Sequence, residues 1–168
     1  MSMQQSSPVR AGIERLPGHV EVEVEVPVRA ERGTAFAAMT QWDQQHRWML
    51  GSRVWSSRGD GSSVGDELSC WTGFGRLGFL DTMTITEAGD AWVVVEHTGR
   101  VVRGVGWMGV PPTPGEGPST FVWGESVRPP LGILGRAGWV VVGPLLRLAV
   151  QYSLRRLAGL VESGQLPR

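Results

Sequence analysis

Net charge is absent: sixteen basic residues stand against sixteen acidic ones. The chain therefore builds no positive field of the kind that holds nucleic acid, and no nucleic-acid partner is expected. Cysteine is nearly absent. Cys70 alone cannot close an internal disulfide, which fits a reducing, cytoplasmic setting, and with no partner motif around it the thiol reads as inert packing. The opening MSMQQSSPVRAG has no apolar run, so no signal peptide is predicted. The most apolar window, 137–146, is interrupted by Gly143 and Pro144 and ended by Arg147, and reads as too short for a membrane span. The three histidines, His19, His46 and His97, share no short metal-ligand spacing, and WTGFGRLG does not open a phosphate-cradling helix. Neither a metal nor another cofactor is expected.

What is present organises itself around the last stretch, from Pro144 to Gly164. On a 3.6-residue period Leu146, Ala149, Val150, Leu154, Leu157, Leu160 and Val161 fall on one side, while Arg147, Gln151, Arg155 and Glu162 fall on the other. This predicts one long amphipathic helix, roughly 30 Å over twenty residues, that needs a broad surface to lie against. The preceding LGILGRAGWVVV is either a helical lead-in or a separate turn of helix, with Pro144 starting or kinking the long helix. Residues 1–18, broken by Pro8, Gly12, Pro17 and Gly18, are expected to form a flexible arm, and 19–166 a single domain.

Between these ends, HVEVEVEVPV alternates without a fault, which predicts a half-buried strand with Glu21, Glu23 and Glu25 in water. RAERGTAFAAM and TQWDQQHRWML read as two short helical pieces. After Gly51 the pattern changes to strands at about 52–57, 64–73, 77–87, 91–99, 101–110 and 120–128, joined by connections too short for parallel crossovers. The expected fold is α+β: a curved seven-stranded antiparallel sheet around a long C-terminal helix, with two short helices after strand 1.

Strand parity then sorts the candidates for chemistry. Phe121, Trp123, Glu125 and Val127 share a face, so Glu125 either stands in apolar surroundings that favour acid–base work near neutrality or is a solvent-exposed or paired residue near the sheet's rim. Arg103 shares a face with Val101, Val105 and Trp107, and could pair with Glu125 or hold an anionic group. Glu96 and His97 point oppositely and cannot act together. Asp81, alternating with Phe79 and Met83, is expected on an outward face. Eight tryptophans against one tyrosine supply either core filling or the rigid wall of a pocket. The expected pocket uses Trp42, His46, Trp71, Arg103, Trp107, Phe121, Trp123, Leu146 and Val150. Glu125 and Tyr152, whose ring flanks the helix's apolar arc, are the catalytic candidates.

The segments VEVEVPVRAERGTAFAAMTQWDQQHRWM, SSVGDELSCW, LGFLDTMTITEAGDAWVVVEHTG and LLRLAVQYSLRRLAGLVESG resemble the polyketide cyclase/dehydrase-like group of the SRPBCC superfamily over residues 20–164. This superfamily, with the START-like, helix-grip fold, also contains lipid-transfer and birch-pollen-allergen-like proteins. The resemblance implies a deep apolar cavity between sheet and helix. It shares no catalytic motif; it matches Trp42 to an aromatic after the first helix and Val64-Gly65-Asp66 to the turn entering the third strand. The function it implies is binding of a hydrophobic small molecule, for transport or sequestration. The alternative is a polyketide cyclase or dehydratase using general acid–base chemistry on an apolar or aromatic substrate. A third reading is a protein-interaction module or homodimer without a ligand.

Overall fold

The computed structural model describes residues 17–113, 115, 117–129 and 133–166. The expected arm lies outside these except for Pro17 and Gly18, as does part of the PPTPGEGPS loop.

Alternation decides the first strand. β1 (Val20–Val28) buries Val22, Val24, Val26 and Val28 and turns its glutamates to the other side. A helix, α1 (Arg32–Met39), and a 3-10 turn (Trp42–Arg47) follow. Then come β2 (Ser52–Arg58), β3 (Glu67–Phe74), β4 (Leu77–Gly89), β5 (Trp92–His97), β6 (Gly104–Gly109) and β7 (Ser119–Val127). Every neighbouring pair is antiparallel, in the order β1-β7-β6-β5-β4-β3-β2. β2 to β7 form a meander, and β1 returns along β7. This is the architecture the strand signals predict, with ends shifted by a few residues.

The last helix, α2 (Ile133–Glu162), runs unbroken for 30 residues and carries Pro144 inside it. The lead-in and the long helix are thus one element. In its second half Val150, Leu154, Leu157 and Ala158 recur on one stripe and bury against the valines of β1, Phe121 and Trp123 of β7, and Ala35, Ala38 and Met39 of α1. Trp48, Val110 and Leu166 complete this cluster. A second cluster under the far strands gathers Val54, Leu68, Ile85, Val93 and Val95 with Trp42.

Trp42 is held by the turn before β3. The Asp66 carboxylate accepts the backbone N–H groups of Gly61, Ser62 and Ser63 at 2.9, 3.1 and 3.2 Å. The Gly61 carbonyl in turn accepts the Trp42 indole N–H at 2.8 Å. Gly61 has φ +79°, and a Cβ there would drive into that indole, so two constraints demand glycine. On the outer face Trp107 lies over Gly124 and donates to Glu23 at 2.8 Å, so Glu23 is not the freely solvated carboxylate that alternation alone suggests.

These packing differences set a stability contrast along α2. Leu154→Ala empties a fully buried site and is expected to cost about 3 kcal/mol. Leu148→Ala, at a largely exposed site on the same helix, should stay within about 0.5 kcal/mol of wild type. Urea unfolding of both variants checks this, and equal losses would mean that the second half of α2 is not the buried half.

Candidate functional site

Between the concave face of the sheet and α2 lies a cavity of about 660 Å³, the size of a drug-like ligand site. Its floor comes from inward positions of the strands, among them Leu68, Met83, Val95, Met108 and Trp123. Trp139, Leu146, Ala149 and Val150 of α2 form the roof, and Trp42 and Gln45 close one end. The lining is predominantly apolar. Besides Gln45, a few hydroxyl side chains, the Cys70 thiol and Arg128 at the margin, it holds a row of three ionisable side chains.

Asp81 on β4, His97 on β5 and Glu125 on β7 meet across the sheet. Register explains how. Met83 pairs with His97, placing Asp81 within reach along β4, while Glu125 pairs with Gly106 on β6. Because Gly106 has no side chain, nothing from β6 separates His97 from Glu125. A Cβ there would stand 3.3 Å from His97 Nε2 and 3.7 Å from Glu125 Cγ. His97 Nδ1 is 2.5 Å from Asp81 Oδ2, and its Nε2 is 3.6 Å from Glu125 Oε1. The side chains of Asp81 and His97 are each 6% exposed and that of Glu125 21%, so Glu125 is the member most open to the cavity.

Burial alone would pull the His97 pKa down, but the hydrogen bond to Asp81, with the charges of Glu125 and Asp81, outweighs it and raises the net value. Glu125 is also raised, chiefly because burial penalises its charged form; His97 opposes the shift and Asp81 adds to it. Asp81 thereby favours an imidazolium with Nδ1–H donated to it, and leaves Nε2 facing the Glu125 carboxyl across 3.6 Å. Burial also raises Cys70, keeping it a thiol, 3.4 Å from the Thr72 hydroxyl.

Several expected positions move. Asp81 is buried, not outward: it shares its face with Phe79 and Met83, both cavity-lining, and His97 supplies the partner that makes an inward acid tolerable. Tyr152 is 54% exposed on the outer side of α2, away from the lining. Arg103 is exposed ahead of β6, whereas Arg128 stands at the cavity margin. His46 is exposed, its ring 2.8 Å from the Asp43 carbonyl, and the preceding Gln45 takes the inward place. Trp71 lies on the face opposite Cys70, over Gly78. Trp107 borders the cavity, while its indole packs on the outer face with Val94 and Val122; Phe121 is locked in the main core. Trp42, Trp123, Leu146, Val150 and Glu125 do line the cavity. His97 was hidden from parity reasoning because its partners sit on other strands. Among the described residues no group of three histidine, cysteine or acidic side chains is arranged to hold a metal.

No family model matches the sequence, and no curated protein does. Solved structures do. The Zhui aromatase/cyclase from Streptomyces sp. R1128 superposes with a TM-score of 0.68 at 11% identity, over 86% of this chain and 94% of that one. TTHA0849 from Thermus thermophilus gives 0.67 at 14% identity, over 86% and 99%. A norcoclaurine synthase point mutant from Thalictrum flavum, in complex with a transition-state analogue, gives 0.61 at 16% identity, over 88% and 96%. The chain has the helix-grip fold. At these identities the likeness carries the fold alone, and the chemistry must be read from the residues.

The raised Glu125 pKa has a definite sign for stability. In the interval between the ordinary carboxylate value and the raised one, the folded state keeps a proton that the unfolded state has released. That contribution is complete below the ordinary value and is lost as pH rises through the folded one. Glu125→Gln mimics the protonated form, so its melting temperature should match wild type near pH 4 and exceed it increasingly as pH rises above the ordinary carboxylate range. Thermal melts across this range test the assignment; a pH-independent difference would show that Glu125 does not titrate there.

Proposed function

We propose that the protein binds a neutral, hydrophobic small molecule in the cavity and transfers protons on it. Glu125 acts as acid and base, His97 exchanges its proton, and Asp81 positions the imidazole. The observation that carries this reading is the Asp81–His97–Glu125 row in a mostly apolar chamber. A simple container has no need of it, because apolar side chains of similar volume would serve stability as well or better.

The geometry fits elimination or ring closure on an oxygen-bearing carbon skeleton. A protonated Glu125 can deliver its proton to a departing hydroxyl, breaking the C–O bond. The resulting carboxylate can remove a proton from the adjacent carbon, so that water leaves, a double bond forms and Glu125 is restored. Among the described residues the cavity offers no cation besides His97 and the marginal Arg128, which favours a ligand without a deeply buried anionic group. Burying roughly 300 Å² of apolar ligand surface would contribute about 7 kcal/mol before ordering costs. That two similar folds belong to an aromatase/cyclase and a synthase supports the fold as a setting for such steps. The apolar lining also favours a second reading, carriage of the ligand without chemistry.

Native mass spectrometry and organic extraction of the purified protein should reveal a bound apolar compound. Ala149→Trp, which fills the roof, should abolish both this compound and binding of a fluorescent apolar probe. Glu125→Gln should retain binding while slowing conversion of the extracted compound about a hundredfold. Conversion at the wild-type rate by Glu125→Gln would leave carriage as the function, and failure of wild type to take up any apolar compound would remove both readings.

A further inference from the structure

The first half of α2 presents an apolar face to solvent while its second half is core. Leu134, Val141, Leu145, Leu148 and Tyr152 lie along one side, 54–75% exposed. They run about 27 Å along the axis, far more than an isolated surface leucine needs explaining. The stripe continues into Arg155 and Arg156, both exposed, and no carboxylate occurs on α2 before Glu162. All sixteen basic residues of the chain are arginine, the side chain that pairs bidentately with phosphate. The nearest acidic row, Glu21, Glu23 and Glu25, shares a separate cleft with Val140 and Arg147, off this stripe.

From this arrangement we infer that the outer face of α2 docks the protein on an anionic phospholipid surface, the apolar stripe entering the interface and the arginines meeting the headgroups. Over Leu134–Glu162 the helix is long and apolar enough to cross a bilayer, which the short 137–146 window does not suggest. Spanning, however, would strip Val150, Leu154 and Leu157 from the core, so the helix lies on the surface with its inner face still on the sheet. Charge selects lipid over a second copy. A symmetric pair would set this face against itself, with arginines and no carboxylate to meet them. Leu134 and Val142 are exposed and also line the cavity. Docking therefore places the cavity margin at the acyl boundary, giving an apolar ligand a path that avoids water. This last consequence rests on the binding function proposed above; the docking itself does not.

Flotation of the full chain with phosphatidylcholine vesicles, with and without phosphatidylglycerol, tests the inference. Wild type should float with the anionic vesicles, weakly with neutral ones, and be released by high salt. Leu145→Glu/Leu148→Glu and Arg155→Glu/Arg156→Glu should each weaken anionic binding about tenfold or more, with unchanged thermal melts because all four sites are exposed. Apolar-probe uptake, measured without vesicles, should persist in both variants, which separates this result from the fate of the binding proposal. Absence of flotation, or flotation indifferent to these substitutions, overturns docking. So does a wild-type dimer in light scattering that Leu145→Glu/Leu148→Glu converts to monomer, since it would assign the face to a second copy.

Discussion

A thirty-residue helix can be buried only where the sheet reaches it, and this sheet grips one half. The valines of β1 and the aromatics of β7 hold α2 through Val150, Leu154 and Leu157. That contact fixes the helix as a beam, and the preceding turns stand off from the strands behind them. The cavity is the space left by this one-ended attachment, bounded by Leu146 and Ala149 above and by Met108 and Val95 below. A fold that packed both halves equally would have a fuller core and no chamber. Apolar burial therefore supplies stability at one end and leaves room for a ligand at the other.

Within that chamber the low local polarity amplifies whatever charge is present. Asp81 and His97 satisfy each other at one ring nitrogen, and the second nitrogen faces Glu125 without a close hydrogen bond. The result is a row in which Asp81 and His97 are almost wholly buried and Glu125 alone keeps a partly open edge. Gly106 is as much a part of it as the ionisable residues, because a side chain there would intrude on the gap between His97 and Glu125.

The frame was legible because local pattern controls it. Faultless alternation in β1, glycine-rich turns and a 3.6-residue stripe in α2 each point to one element, and short connections leave an antiparallel meander. The site was legible only in part. Parity placed Glu125 and Trp123 on one face, but a face does not reveal which residue on the next strand stands alongside. The Asp81–His97 contact depends on the β4–β5 register, including the bulge between Ile85 and Glu87, and the approach of Glu125 depends on β6. Helical parity likewise put Tyr152 beside the apolar arc without showing how much of that arc the sheet would cover.

The roof and the ionisable row belong to different elements. Trp139, Leu146 and Ala149 are carried by α2, whereas Asp81, His97 and Glu125 are carried by the sheet and brace one another there. Changes of bulk along the helix can reshape the chamber with little disturbance to these three side chains, since separated sites act nearly independently. The shape of the chamber and its ionisable row can thus evolve on separate schedules: a descendant of this chain could acquire a differently shaped chamber through a few helix substitutions while inheriting the row intact.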